Sequence, residues 1–184
     1  MKVEIVAPSL SDERSGDVIV KPLDTQEEAI RCFQQAQIHC PWYPKEYFEG
    51  WLTANREGNR LTRLVFHEGK LAGWCHLLRV SDYPSFQEEQ IPEINDLVIF
   101  PEFRRKKLAS RLLEELERAA AAWNCARVGL GVGLYGDYGP AQLLYAKRGY
   151  HLDGKGMSYK NQRVKAGQEV PIDDELLVYL VKDL

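Results

Sequence analysis

Between Ile94 and Leu134 the chain runs strand, helix, strand, and that unit restricts the folds open to it. "INDLVIF" is rich in β-branched and aromatic residues and stops at Pro101, which lacks the N–H needed to continue a ladder. Leu108, Leu112, Leu116, Ala119, Ala120 and Trp123 then recur at helical spacing and give one apolar face, with Glu114 and Arg118 as an expected i,i+4 pair on the wet side. "ARVGLGVGL" returns to a period of two. Two strands joined by a helix of that length lie parallel in one sheet, through a right-handed crossover.

The flanking segments supply the rest of the sheet. "DVIVKPLD" reads as a short strand. "DTQEEAIRCFQQAQI" reads as a helix capped by Asp24 or Thr25, with Glu27 or Glu28 in its first turn. "KEYFEGWLTANREG" is a second helix ending at Gly58, and "TRLVFHEGKLAGWCHLLRV" is a β-hairpin. "SDYPSFQEEQIPE" is a polar loop. "PAQLLYAKRGY" is a short helix with Pro140 in its first turn and Gly149 at its C-cap. "YHLDGKGMSY" and "ELLVYLVKDL" are two last strands, expected to form a long hairpin. The fold class is therefore mixed α/β: a central, largely antiparallel sheet with one parallel β–helix–β unit, flanked by helices.

At 184 residues the chain is long enough for one well-buried core. It is expected to be a single domain over 1–184, its core about 17–184 and residues 1–16 an N-terminal extension. A net charge of -3 argues against a surface built to coat nucleic acid. No apolar stretch approaches a membrane span and the N-terminus carries no signal-peptide pattern, so the expected location is cytoplasmic. Cys32, Cys40, Cys75 and Cys125 form no C-x-x-C pair and suit no zinc module, so free thiols and no metal are expected. His39 beside Cys40 is the one near-cluster, and without a further ligand nearby it reads as loop.

Two features carry the chemistry. In "PEFRRKKLASRLL" four cations, Arg104 to Lys107, stand where the long helix begins, near Arg105. Positive charge there opposes the helix macrodipole by about 0.3–1 kcal/mol per charge. A bound polyphosphate would remove that conflict and satisfy the unpaired first amides; simple solvation of the cations is the plainer alternative. In "VGLGVGL" the glycines leave one strand face bare, which marks close approach of a ligand or another backbone.

"DLVIFPEFRRKKLASRLLEELE" resembles the strand–turn–helix motif of the GNAT acyl-CoA-dependent N-acyltransferases, whose turn follows R/Q-x-x-G-x-G/A. Arg104 fits the first position and Ala109 the last. "AQLLYAKRGYHLDG" resembles the later A-x-x-L-Y-x-x-x-G-F/Y segment through Ala141, Leu144, Tyr145, Gly149 and Tyr150. The sequence departs from the family at Lys107, in place of the middle glycine, and at Tyr138, where many members carry a cofactor-contacting asparagine.

The resemblance implies a GNAT fold and acetyl transfer from acetyl-CoA to a primary amine, with no metal. Arg104, Arg105, Lys106, Lys107, Leu108, Ala109 and Ser110 are then the pyrophosphate turn. Main-chain groups of Val98, Ile99 and Phe100 take the pantetheine arm between splayed strands, and Tyr138 lies by the cofactor. Tyr145 resembles the general acid for the departing thiolate. Glu93 and Asp96 are the carboxylates placed to act as base; they face opposite sides of a regular strand, unless a bulge intervenes, and a water relay needs neither. The acceptor is a small-molecule or peptide amine, without nucleic acid or membrane, and a homodimer stays open. The rival function is a non-catalytic acyl-CoA-binding sensor or scaffold.

Overall fold

The structure, a computed structural model, describes residues 18–184; the extension expected over 1–16 lies outside them. The elements are β1 (Val18–Pro22), α1 (Gln26–His39), α2 (Lys45–Arg56), β2 (Arg60–His67), β3 (Lys70–Leu78), α3 (Pro84–Glu88), β4 (Glu93–Ile99), α4 (Leu108–Ala122), β5 (Arg127–Gly133), α5 (Gly139–Lys147), β6 (His151–Tyr159), β7 (Gln162–Arg163) and β8 (Leu176–Asp183). One sheet has the order β1-β2-β3-β4-β5-β8-β6-β7. Every neighbouring pair is antiparallel except β4 and β5, the expected parallel unit.

Local signals fix several boundaries. Thr25 caps α1 in a full capping box: the Glu28 amide donates to Thr25 Oγ1 at 3.3 Å, and the Thr25 amide donates to the Glu28 carboxylate at 3.2 Å. Such a cap is worth about 1 kcal/mol. Gly149, at φ 87°, ends α5. The expected polar loop after β3 instead contains α3, because Phe86 is a buried anchor for it. The last two long strands pair as expected, and the short β7, between them in sequence, pairs on the outer edge of β6. On α4 the ion pairs are Arg111–Glu114 and Arg118–Glu115, both at i,i+3, rather than Glu114–Arg118; Glu115 also turns to Arg63 at 3.5 Å.

The two sheet faces are covered by different helices. Trp74 faces α2, in ring contact with Phe48 and Trp51. Its neighbour Cys75 faces the other way, on the side where Arg63, its cross-strand partner, meets Glu115 of α4. Leu108, Leu112, Leu113, Leu116 and Ala120 of α4 join Val128, Leu130 and Val132 in the main core. The glycine face of β5 is not open. A Cβ on Gly129 would meet the Phe86 ring at 2.3 Å, one on Gly131 the Tyr179 ring at 3.1 Å, and one on Gly133 the Tyr138 ring at 2.3 Å. The close approach legible in the sequence is made by aromatic side chains of the same chain.

Candidate active site

The site begins where β4 and β5 part. They pair only at Glu93–Gly129 and Ile94–Leu130. Beyond that point β5 continues its register with β8 and β4 keeps β3, so the facing edges of β4 and β5 diverge. The cause lies in β4. Trp74 pairs with Val98 and His76 with Asn95, which leaves Asp96 and Leu97 opposite the single residue Cys75. This is a β-bulge, with Asp96 in the left-handed region at φ 51°.

Of the three main-chain positions expected to hold an extended ligand, one is available. The Phe100 amide donates to Ala72 O at 3.0 Å and its carbonyl accepts from the Phe103 amide at 2.9 Å. By the alternation of an antiparallel ladder Val98 also turns toward β3, where its carbonyl oxygen sits 2.0 Å from the ideal Cβ position of Gly73. The same alternation turns Ile99 toward the cleft, and its carbonyl accepts from Arg104 Nε at 3.2 Å. Val98 and Phe100 thus belong to the sheet and to the core, and Ile99 to the opening.

Beyond Ile99 a 3-10 turn (Pro101–Phe103) leads to α4, which starts at Leu108 rather than near Arg105. Among the described residues, the amides of Arg105, Lys106, Lys107, Leu108, Ala109 and Ser110 donate to no protein acceptor; the first intrahelical bond runs from Arg111 to Lys107 O. Consecutive unpaired amides at a helix start form an anion cradle. Of the cations, Arg104 folds back onto Ile99, Lys106 lies over the Phe103 ring, and Arg105 and Lys107 remain exposed.

Arg105 and Lys107 both stand at φ 63°. For a residue with a Cβ this conformation costs about 1–2 kcal/mol. Lys107 therefore adopts a backbone conformation suited to glycine, at a cost in strain. Lys107→Gly is expected to raise stability by about 1 kcal/mol, hence the melting temperature by about 2–4 °C. It should also weaken binding of a polyphosphate anion at the turn and flatten its salt dependence, through loss of the ammonium. Calorimetry of unfolding and of binding on the same variant checks both signs.

The carboxylates depart from simple alternation. Glu93 and Asn95 share the face of His76, since Asn95 is the cross-strand partner of His76 and its amide donates to Glu93 Oε1 at 3.0 Å. The bulge brings Asp96 onto that face too. Its Oδ2 accepts from Trp74 Nε1 and Tyr47 OH, each at 2.8 Å, its Oδ1 accepts from Tyr43 OH, and His76 Nε2 stands 3.6 Å away. Although burial alone would raise it, His76 first, and then the Tyr43 and Trp74 donors, hold Asp96 down at about 2, so it is ionised. Glu93 is buried, accepts from Ser81 Oγ as well as from Asn95, and desolvation lifts its carboxyl above the usual range. Of the two, Glu93 is the carboxyl that its surroundings shift upward and Asp96 the one they shift downward.

Tyr145 lies across the sheet, on the Cys75 side. It is 7% exposed, packs edge-on to Tyr150, and its hydroxyl makes no hydrogen bond among the described residues. Burial first, and the neighbouring Cys75 second, push its phenol up, so it stays protonated. Cys75 Sγ lies 3.5 Å from Asn95 O, at the start of the divergence. Glu93, on the face of His76, and Tyr145, on the Cys75 side, thus lie on opposite faces of the sheet. Tyr138 packs its ring on Gly133 and donates to Asp174 at 2.8 Å, beside Tyr135, which donates to the same oxygen. The Asp96 cluster is the feature that the sequence did not signal, because its donors lie 22, 49 and 53 residues away.

All four cysteines are free thiols, and the described residues contain no cluster of metal-ligating side chains. Nor is any described helix long and apolar enough to cross a membrane.

Comparison with known proteins agrees with this geometry. The acetyltransferase (GNAT) family pattern matches residues 23–150. No curated protein is significantly similar in sequence. Among solved structures, a RimL ribosomal L7/L12 α-N-protein acetyltransferase in complex with coenzyme A superposes with a TM-score of 0.68 at 11% identity, covering 92% of this chain and 96% of that one. A GNAT-family acetyltransferase from Streptococcus pneumoniae gives 0.63 at 19% identity, covering 91% and 99%. The PaiA N-acetyltransferase from Thermoplasma acidophilum, in complex with coenzyme A, gives 0.57 at 16%, covering 91% and 99%. At these identities the likeness is one of fold.

Proposed function

Because the chain belongs to the acetyltransferase (GNAT) family, we propose that it transfers an acetyl group from acetyl-CoA directly to a primary amine. The observation that carries the proposal is the run of unpaired amides from Arg105 to Ser110 beside the opening between β4 and β5. A diphosphate satisfies those amides and the helix dipole together, and the cleft-facing edge at Ile99 suits an extended, amide-bearing arm by strand addition. Acetyl-CoA, when bound, supplies the activated thioester.

The chain's own groups do the rest. Arg105 and Lys107 are exposed and add charge to the cradle, without an ion pair among the described residues. Glu93 accepts the proton that the amine loses, and Tyr145 holds a proton for the sulfur on the opposite face. The buried surroundings of both groups keep bulk water from competing. Lys107 stands at the left-handed φ that a glycine would adopt easily, which supports a turn shaped for the cradle in spite of the substitution.

The test is binding and turnover on one preparation. Coenzyme A should bind, and Arg104→Ala/Arg105→Ala should weaken it more than it weakens a pantetheine fragment without the diphosphate. A panel of peptide N-termini, lysine and polyamines, followed by thiol release from acetyl-CoA, should reveal the acceptor class. Binding without release on any amine would return the protein to the sensor class, and equal losses for both ligands would move the phosphate site elsewhere.

A further inference from the structure

We propose that Asp96 is a positioning residue: through Tyr43 and Tyr47 it ties the β4 bulge to the α1–α2 corner and so sets how far β4 splays from β5. The inference rests on reading that cleft as the coenzyme site.

A non-glycine residue at φ 51° persists only where its surroundings hold it there. Asp tolerates the left-handed region better than most residues, but tolerance alone does not select it. The selecting force is the carboxylate's set of partners. Trp74 belongs to β3, the strand against which the bulge forms. Tyr43 lies in the turn between α1 and α2, and Tyr47 in the first turn of α2. With a side chain only 10% exposed, an ionised Asp96 has little water to fall back on. No Lys or Arg pairs with it among the described residues; its nearest basic group, His76, is kept toward the neutral form by burial, and its other ring nitrogen lies 3.0 Å from the Thr62 hydroxyl. The anion is therefore held by the Trp74, Tyr43 and Tyr47 donors and by His76, all at fixed places, and it cannot leave them without becoming unsatisfied.

The donors are themselves rigid. Tyr43 and Tyr47 stack at 5.1 Å with an interplanar angle of 11°. Phe48 packs edge-on to both, and Trp51 edge-on to Tyr47. The position of the α1–α2 corner is thus transmitted to residue 96. Everything C-terminal on β4, including the Ile99 edge and the turn to α4, follows from where the bulge directs the strand. The exposed Trp42 stands next to Tyr43 on the same corner, so contact there has a rigid route to the cleft.

The variants are Tyr43→Phe, Tyr43→Phe/Tyr47→Phe and Asp96→Gly, with Tyr83→Phe as control. The control also removes a hydroxyl bonded to a carboxylate, Asp153 at 3.0 Å, but away from the bulge. Asp96→Gly tolerates the left-handed backbone and removes the tie, and with it the acceptor of the Trp74, Tyr43 and Tyr47 donors. Coenzyme A affinity should fall about tenfold in the double variant and in Asp96→Gly, the equivalent of one charge-assisted hydrogen bond, and stay at the wild-type value in the control. Hydrogen exchange at the Val98 and Phe100 amides, which face β3, should quicken in the same variants and not in β8. A loss of melting temperature with affinity and exchange both unchanged would make Asp96 a merely structural residue and overturn the proposal. So would wild-type behaviour of Asp96→Gly. If Asp96→Gly does not fold, Tyr43→Phe, which deletes one hydroxyl, decides. If the wild-type protein binds no coenzyme A, the functional assignment fails, and exchange at the bulge still judges the tie.

Discussion

Tyr145→Phe is expected to lower kcat by roughly 10²–10⁴, the range of general acid catalysis, while coenzyme A affinity and melting temperature stay near wild type. The Tyr145 hydroxyl is the only group this substitution removes. It has no protein partner among the described residues, so its removal orphans no buried group. The ring stays, and with it the edge contact to Tyr150 and the burial of α5. Stability therefore has little to lose. Chemistry has much more, because burial holds the phenol protonated and the Cys75 side of the sheet meets the strand divergence at Asn95. Turnover, binding and unfolding on this one variant separate the roles. Full activity would remove Tyr145 from the mechanism. A large loss of stability with a proportionate loss of activity would return it to the core.

That Tyr145 could be singled out from sequence illustrates which kinds of information are local. Its motif, the Thr25–Glu28 capping box, the β2–β3 hairpin and the parallel unit each depend on residues close together in the chain or on an unmistakable period. The turn from Arg104 to Ser110 is local in the same sense, although α4 starts later than its charge run suggests. The bulge was not legible. Nothing in "EINDLVIF" favours two residues opposite one; the register is imposed by Trp74, Tyr43 and Tyr47, whose contributions are tertiary. Once the bulge is present, parity beyond Asn95 inverts, which is why Asp96 joins Glu93 on one face. The main-chain edge was misjudged for a related reason: only alternate residues of a strand can face a cleft, and which ones do is fixed by the ladder with β3. The glycines of β5 were a true signal of close approach, but sequence does not say what approaches, and Phe86 and Tyr179 come from elements far along the chain.

Glu93→Gln should cost a comparable factor in turnover, roughly 10²–10⁴ near neutral pH, and should change the pH profile in a defined way. Desolvation raises the Glu93 carboxyl above its ordinary value, against the opposing hydrogen bonds from Ser81 and Asn95. A base works only when ionised, so wild-type activity should rise with pH through the raised value, placing the acidic limb above the usual glutamate range. Glu93→Gln should abolish that limb and leave a low rate without it. Stability should move the other way. A carboxyl whose folded value exceeds its unfolded one stabilises the fold fully below the unfolded value, and that contribution is lost as pH climbs through the folded value. Glutamine is neutral at every pH, keeps an oxygen for the Asn95 amide and can donate to the Ser81 hydroxyl, so the variant should be at least as stable as wild type at neutral pH. Asp96 offers the internal contrast. Its folded value lies below the ordinary one, so its contribution is present at neutral pH and fades only as pH falls through about 2. Loss of activity together with retained or increased stability identifies Glu93 as the base. An unchanged acidic limb in Glu93→Gln would assign the proton to water and leave Glu93 as a buried strand residue.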